Sequence, residues 1–209
     1  MEEILRLAAL MAGCGDMLSF DRLVSIAYHV LQTQSLSGTV GEFGCFEGRT
    51  AMFMTSLTPK RIHLYDSFQG LPERQEEDAH SVPWFVKGHL ATSQHVVLNN
   101  FRRANLRSPT LHPGWFADLG PDDFPDMFSF VHVDGDFYSS IKDALACAYP
   151  RMIPGGVMLI DDYGWSDLPG VKKATDEFFA DKPEKPVRLC GLSAICANQA
   201  FVMVSNEQA

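Results

Sequence analysis

Apolar residues along this chain follow two rhythms, and the change from one to the other predicts the architecture. Residues 2–12 and 18–33 carry the i, i+3, i+4 spacing of amphipathic helices, and Ser19 is placed to cap the second of them. From residue 39 onward, short apolar runs interrupt the helical spacing. Residues 39–43, 61–66, 110–112, 128–134 and 156–161 read as strands, with helices expected over 50–57, 92–105, 139–149 and 171–179. The last two strands, 187–192 and 200–204, have no helix between them and read as an antiparallel pair.

Strands that alternate with helices imply right-handed crossovers, hence a parallel sheet covered by helices. The expected fold is α/β: a mostly parallel seven-stranded sheet, helices on both faces, and a reversed strand added at one edge. A length of 209 residues suits one domain, with 1–38 as an N-terminal helical segment and 39–209 as the core. Residues 67–88 fit neither rhythm. Gly70, Pro72 and Pro83, with the acids Glu73, Glu76, Glu77 and Asp78, mark a long loop, and such a loop inside a compact domain is usually functional or disordered. It is a candidate lid, with Trp84, Phe85 and His89 available to close over a substrate; a mobile surface loop is the alternative.

Composition excludes several classes. The chain is 46% hydrophobic and 21% charged, as in ordinary soluble proteins. No apolar run reaches the roughly 20 residues of a membrane span. Met1-Glu2-Glu3 also lacks the basic start of a signal peptide, so a cytoplasmic protein with no membrane partner is expected. A net charge of −9 and the lack of a Lys/Arg-rich run argue against a nucleic-acid partner. The five cysteines (Cys14, Cys45, Cys147, Cys190 and Cys196) lack C-x-x-C spacing, so reduced thiols are expected rather than a disulfide framework or a zinc site.

The chemistry is signalled where two strands end in acids, at Val133-Asp134-Gly135-Asp136 and Ile160-Asp161-Asp162. Open α/β sheets bind ligands outside the carboxyl ends of their strands. Neighbouring strands would bring Asp134, Asp161 and Asp162 together there. Crowded carboxylates raise one another's pKa and need compensation. A hard divalent cation with oxygen ligands, Mg²⁺, is the simplest. Helix capping is the other common use of such acids, but Tyr163-Gly164-Trp165 opens no immediate helix. Asp136 has two readings, as a cap for the helix at 139–149 or as a metal or substrate contact. His132, two residues before Asp134 on the same strand face, reads as a general base or as a packed core histidine. Tyr138 and Tyr163 flank the acids and could shape an acceptor pocket or simply pack.

A second signal is the turn Glu42-Phe43-Gly44-Cys45-Phe46-Glu47-Gly48-Arg49-Thr50, which follows a strand and opens a helix. Gly44 and Gly48 would let the backbone approach a ligand. The spacing is not G-x-G-x-x-G and carries no G-K-[ST], which weighs against a dehydrogenase and a kinase. Asp66 closes the next strand, where an acid can hold ribose hydroxyls; a capping or solvated loop acid is the alternative.

These residues resemble the class I S-adenosylmethionine-dependent methyltransferases, whose fold is Rossmann-like, and more narrowly the macrocin O-methyltransferase (TylF/MycF-like) family. The matching segments are 42–50, Asp66-Ser67-Phe68-Gln69-Gly70-Leu71-Pro72, Gly114-Trp115-Phe116, Asp134-Gly135-Asp136-Phe137-Tyr138-Ser139-Ser140, and 149–163. The resemblance implies a cofactor, S-adenosyl-L-methionine, held by Glu42, Gly44, Phe46, Gly48, Thr50, Asp66, Ser67, Trp115, Phe116 and Asp134. It further implies Mg²⁺ on Asp134, Asp161 and Asp162, and Asp134 as first candidate for the catalytic base. The implied acceptor is a hydroxyl of a sugar or glycosylated small molecule, and a homo-oligomer is expected because many relatives form one. Catechol-type relatives place a lysine soon after the corresponding aspartate; residues 137–141 contain none, so that mechanism does not transfer. Two other readings stay open: a metal-independent N-methyltransferase, and a non-enzymatic module that keeps the cofactor pocket to scaffold or regulate a partner.

Overall fold

The computed structural model describes residues 19–79, 81–189 and 198–205. The helix expected at 2–12 and the cysteines at 14, 190 and 196 lie outside them. In chain order the elements are α1 (Phe20–Gln32), β1 (Thr39–Phe43), α2 (Arg49–Leu57), β2 (Ile62–Asp66), α3 (Gln94–Arg103), β3 (Thr110–Pro113), β4 (Phe128–Val133), α4 (Tyr138–Ala148), β5 (Met152–Ile160), α5 (Pro169–Phe178), β6 (Val187–Arg188) and β7 (Ala200–Met203).

The strands form one sheet in the order β3-β2-β1-β4-β5-β7-β6. All pairs from β3 to β5 are parallel, and β7 is antiparallel to both β5 and β6. The reversed strand thus sits one place in from the margin, with the two-residue β6 outside it. The centre of the sheet is β4, buried at every position, as a strand covered on both faces requires. A register shift against β1, where Thr39 pairs with Phe128 but Val40 with Phe130, puts one extra residue into this strand. That is why Phe128, Val131 and Val133 pack on one face and Phe130 on the other. Strand β5 begins four residues before the predicted 156, because Pro154 and Gly155 are accommodated in its outer part.

Each sheet face has its own core. Leu23, Ile26 and Val30 of α1, Ala51 and Met54 of α2, and Val97 and Phe101 of α3 cover one face. Ile141 and Leu145 of α4 with Val171 and Ala174 of α5 cover the other. Burying each such large apolar side chain is worth about 1.5–3 kcal/mol relative to exposure. Helix α1 starts where Ser19 accepts the Arg22 backbone N–H at 3.4 Å, the cap expected from sequence. That start fixes where Arg22 points.

The 67–88 segment is tied down rather than loose. Leu71 donates to the carbonyl of His89 at 2.8 Å, and Gly88 donates to that of Leu71 at 2.9 Å. Arg74 donates to the Phe85 and Val82 carbonyls. The fully buried Asp78 accepts the Tyr138 backbone N–H at 3.0 Å. Asp78 therefore caps α4 from a distance, and Asp136 does not: the helix has Phe137 at its N-cap position and no capping bond from that residue's side chain.

Candidate active site

Strand ends of β1, β2, β4 and β5 converge on one cavity of about 980 Å³, at the upper end of small-molecule sites. The glycine turn forms part of its lining. Gly44 has φ +88°, and a Cβ placed there would lie 1.8 Å from the backbone oxygen of Asp134. Only glycine lets the end of β1 come this close to the end of β4. The Asp66 carboxylate organises the turn: Oδ2 accepts the N–H groups of Cys45 (2.9 Å) and Phe46 (3.0 Å), and Oδ1 accepts that of Phe68 (2.7 Å). Four non-glycine residues of the lining, Phe46, Leu90, Asp136 and Asp162, have positive φ. Such backbone strain concentrates at functional sites.

Of the residues named for the cofactor, Gly44, Phe46, Thr50, Asp66, Ser67, Trp115, Phe116 and Asp134 line this cavity. Two do not. Glu42 is fully buried and faces His132, with Oε1 3.1 Å from Nδ1. Burial raises its pKa, against the hydrogen bond to His132. Gly48 opens α2 at φ +79°, and a Cβ there would press on Val97 and Phe101. Its task is tight packing of the turn against α3.

Among the acids, Asp134 and Asp162 line the cavity, and Asp161 lies behind them, 2% exposed. One donor atom from each of Asp134, Asp136 and Asp162 lies within 4.8 Å of the others, and the same holds for His132, Asp134 and Asp161. Asp136 thus belongs to the cluster. Burial, then the charges of Asp161, Asp136 and Asp162, lifts the Asp134 carboxyl well above the usual range. Burial and Asp161 push Asp162 up to about 7.

One residue of the cluster was not anticipated. Arg22, reaching in from α1, places Nη1 3.0 Å from Asp161 Oδ2 and bonds Asp162 Oδ1 through Nη2. Burial opposes its charge, but Asp161, Asp162 and Asp134 more than offset that and raise its pKa. In sequence Arg22 looks like a polar position near a helix start; the sole clue is the need for a positive charge beside the acids. Trp84, Phe85, His89, Trp165 and Asn198 complete the wall near the 67–88 segment. Tyr138 and Tyr163 are not in the lining and give their hydroxyls to Glu177 (2.6 Å) and Asp176 (2.7 Å) of α5. They pack.

A profile described as Macrocin-O-methyltransferase (TylF) matches residues 5–188. The chain belongs to this family. It is 33% identical over 162 residues to the 8-demethyl-8-(2,3-dimethoxy-alpha-L-rhamnosyl)-tetracenomycin-C 4'-O-methyltransferase of Streptomyces olivaceus, covering 70% of this chain and 62% of that protein. It is 31% identical over 156 residues to the mycinamicin III 3''-O-methyltransferase of Micromonospora griseorubida, covering 68% and 60%. The match thus spans about six-tenths of the length of each relative. The structure of the O-methyltransferase NovP superposes with a TM-score of 0.76 at 27% identity, covering 90% of this chain and 81% of that one. The class I methyltransferase sheet, with its one reversed strand, is therefore the fold of this family member. No helix among the described residues is long and apolar enough to cross a membrane.

Proposed function

We propose that this chain is a Mg²⁺- and S-adenosylmethionine-dependent O-methyltransferase acting on a hydroxyl of a sugar or glycosylated small molecule. The observation that carries the reading is a single cavity lined both by the glycine turn with Asp66 and by Asp134, Asp136 and Asp162. The names of the two relatives, one of them describing a rhamnosyl-bearing acceptor, support the substrate class.

The residues suit both the cofactor and the metal. For the cofactor, Gly44 leaves room at the turn, Asp66 holds the turn's backbone, and the Trp115-Phe116 segment offers flat apolar surface. For the metal, the donors are hard oxygens, and buried Asp161 Oδ1 has no hydrogen-bond partner, an unmet demand that a cation would satisfy. Asp134, Asp161 and Asp162 would hold the ion. S-Adenosylmethionine supplies an electrophilic methyl group for in-line displacement. Mg²⁺, if bound there, would supply positive charge that favours the deprotonated form of an acceptor hydroxyl.

The chain's own part is alignment and proton removal. Alignment contributes up to roughly 7–11 kcal/mol in ideal cases. Asp134 accepts the acceptor's hydroxyl proton on a carboxylate oxygen. A carboxylate that also held the ion would be a weaker base, so this role would fall to an Asp134 oxygen that the ion leaves free.

Calorimetry with S-adenosylhomocysteine, followed by Mg²⁺, tests the reading. Both should bind the wild-type protein, and Asp161→Ala should keep the first and lose the second together with turnover. Unchanged turnover in Asp161→Ala would remove the metal role. Metal-independent transfer is the second reading, favoured by Arg22 already supplying charge at the acids; full activity in excess chelator would select it.

A further inference from the structure

The acid cluster already contains a cation. The Arg22 guanidinium forks across Asp161 and Asp162, contributed by residues 139 and 140 positions further along the chain. Its side chain is 17% exposed against 2% and 6% for its two partners, so both ion pairs are withdrawn from water and weakly screened. It lines the same cavity as Asp134 and Asp136. A planar fork is suited to bridging two carboxylates, which a single ammonium does less well. The two oxygens it takes, Asp161 Oδ2 and Asp162 Oδ1, belong to two of the three proposed metal ligands, whereas Asp161 Oδ1 stays without a partner.

We propose that Arg22 is a displaceable internal counter-ion: it neutralises Asp161 and Asp162 when no metal is bound, and a divalent ion must displace it to load. The inference rests on the metal-dependent reading above. Its physical basis is competition for shared ligands. A guanidinium and a divalent ion would occupy adjoining oxygens and repel one another, so binding of one weakens binding of the other by the same factor. Because Arg22 stands in the first turn of α1, three residues after its Ser19 cap, displacement must be taken up either by the side chain or by that helix end. Metal loading and the seating of α1 on the sheet are then linked. The arrangement also offsets part of the acids' charge in the metal-free protein, where a cluster of buried like charges with no counter-ion would destabilise the fold.

The test is Mn²⁺ titration of the full chain saturated with S-adenosylhomocysteine, for the wild type, Arg22→Gln and Arg22→Lys. Thermal unfolding of each is followed with and without Mn²⁺. Competition predicts at least tenfold tighter Mn²⁺ binding in Arg22→Gln and an intermediate gain in Arg22→Lys. Metal-free Arg22→Gln should unfold at a lower temperature than the wild type and gain more from Mn²⁺. If Arg22→Gln does not fold, the lysine variant carries the test through its own gain in affinity. Equal or weaker Mn²⁺ binding in the variants overturns the proposal while leaving a metal-dependent enzyme in place. S-Adenosylhomocysteine binding with no Mn²⁺ binding to any of the three proteins overturns both the proposal and the metal dependence on which it rests.

Discussion

Replacing Asp66 by asparagine removes one charge and almost no volume, yet it should disable the cofactor turn. The wild-type carboxylate accepts three backbone N–H groups, two on Oδ2 and one on Oδ1. An amide has one acceptor end. If its oxygen faces Cys45 and Phe46, its NH₂ faces the Phe68 N–H; if it flips, two N–H groups meet a donor. At least one backbone donor therefore loses its partner in either orientation. Hydrogen bonds to charged groups contribute roughly 1.5–3 kcal/mol each, and the remaining bonds weaken once the acceptor is neutral. The expected loss is about 2–4 kcal/mol, or a fall in Tm of about 4–16 °C for a chain of this size. Denaturant unfolding followed by circular dichroism measures the first effect, and calorimetry with S-adenosylhomocysteine measures the second, a loss of affinity of about tenfold or more. A variant within about 0.5 kcal/mol of the wild type, with unchanged affinity, would refute the idea that Asp66 builds the turn. Lost stability with unchanged affinity would confine Asp66 to the fold.

Two further predictions separate strain from close contact and acid from base. Gly44→Ala should be far more damaging than Gly88→Ala, because both have positive φ (+88° and +81°) but only Gly44 has backbone within clashing distance, at 1.8 Å. Comparative unfolding should show strain of about 1–2 kcal/mol at Gly88 and a much larger loss at Gly44, and similar losses would contradict the packing argument. For pH, Asp134, Asp136 and Asp162 all hold protons more tightly in the fold than in the unfolded chain, burial being the first cause. Between about pH 4 and 7 the folded state thus binds more protons, so the cluster's contribution to metal-free stability falls as pH rises through that window. Unfolding midpoints at several pH values, with and without Mg²⁺, should show that decline and its reduction by the ion.

Much of this was legible in the chain because local pattern decides it. The apolar runs ending in Asp134 and Asp161 placed β4 and β5 side by side, and Ser19 marked the start of α1. Glycine spacing at 44 and 48 located the turn, although only the backbone geometry separates Gly44, which opens the cavity, from Gly48, which packs against α3. What escaped were contacts between distant segments. Arg22 meets Asp161 across 139 residues, His132 meets Glu42 across 90, and Asp78 caps α4 across 60. Each of these residues reads locally as something else: a helix-surface cation, a turn acid, a loop acid. Charge balance pointed to a cation beside the acids, but sequence spacing offers no means of telling an arginine from a metal ion.

Transfer of a labelled methyl group from S-adenosylmethionine to a panel of glycosides, read by mass spectrometry with Mg²⁺ and again after chelation, tests the central claim most directly. Mono-methylated product on a sugar hydroxyl, formed with Mg²⁺ and lost on chelation, is the predicted result. Undiminished product in excess chelator, or cofactor binding without methyl transfer to any hydroxyl acceptor, would contradict it.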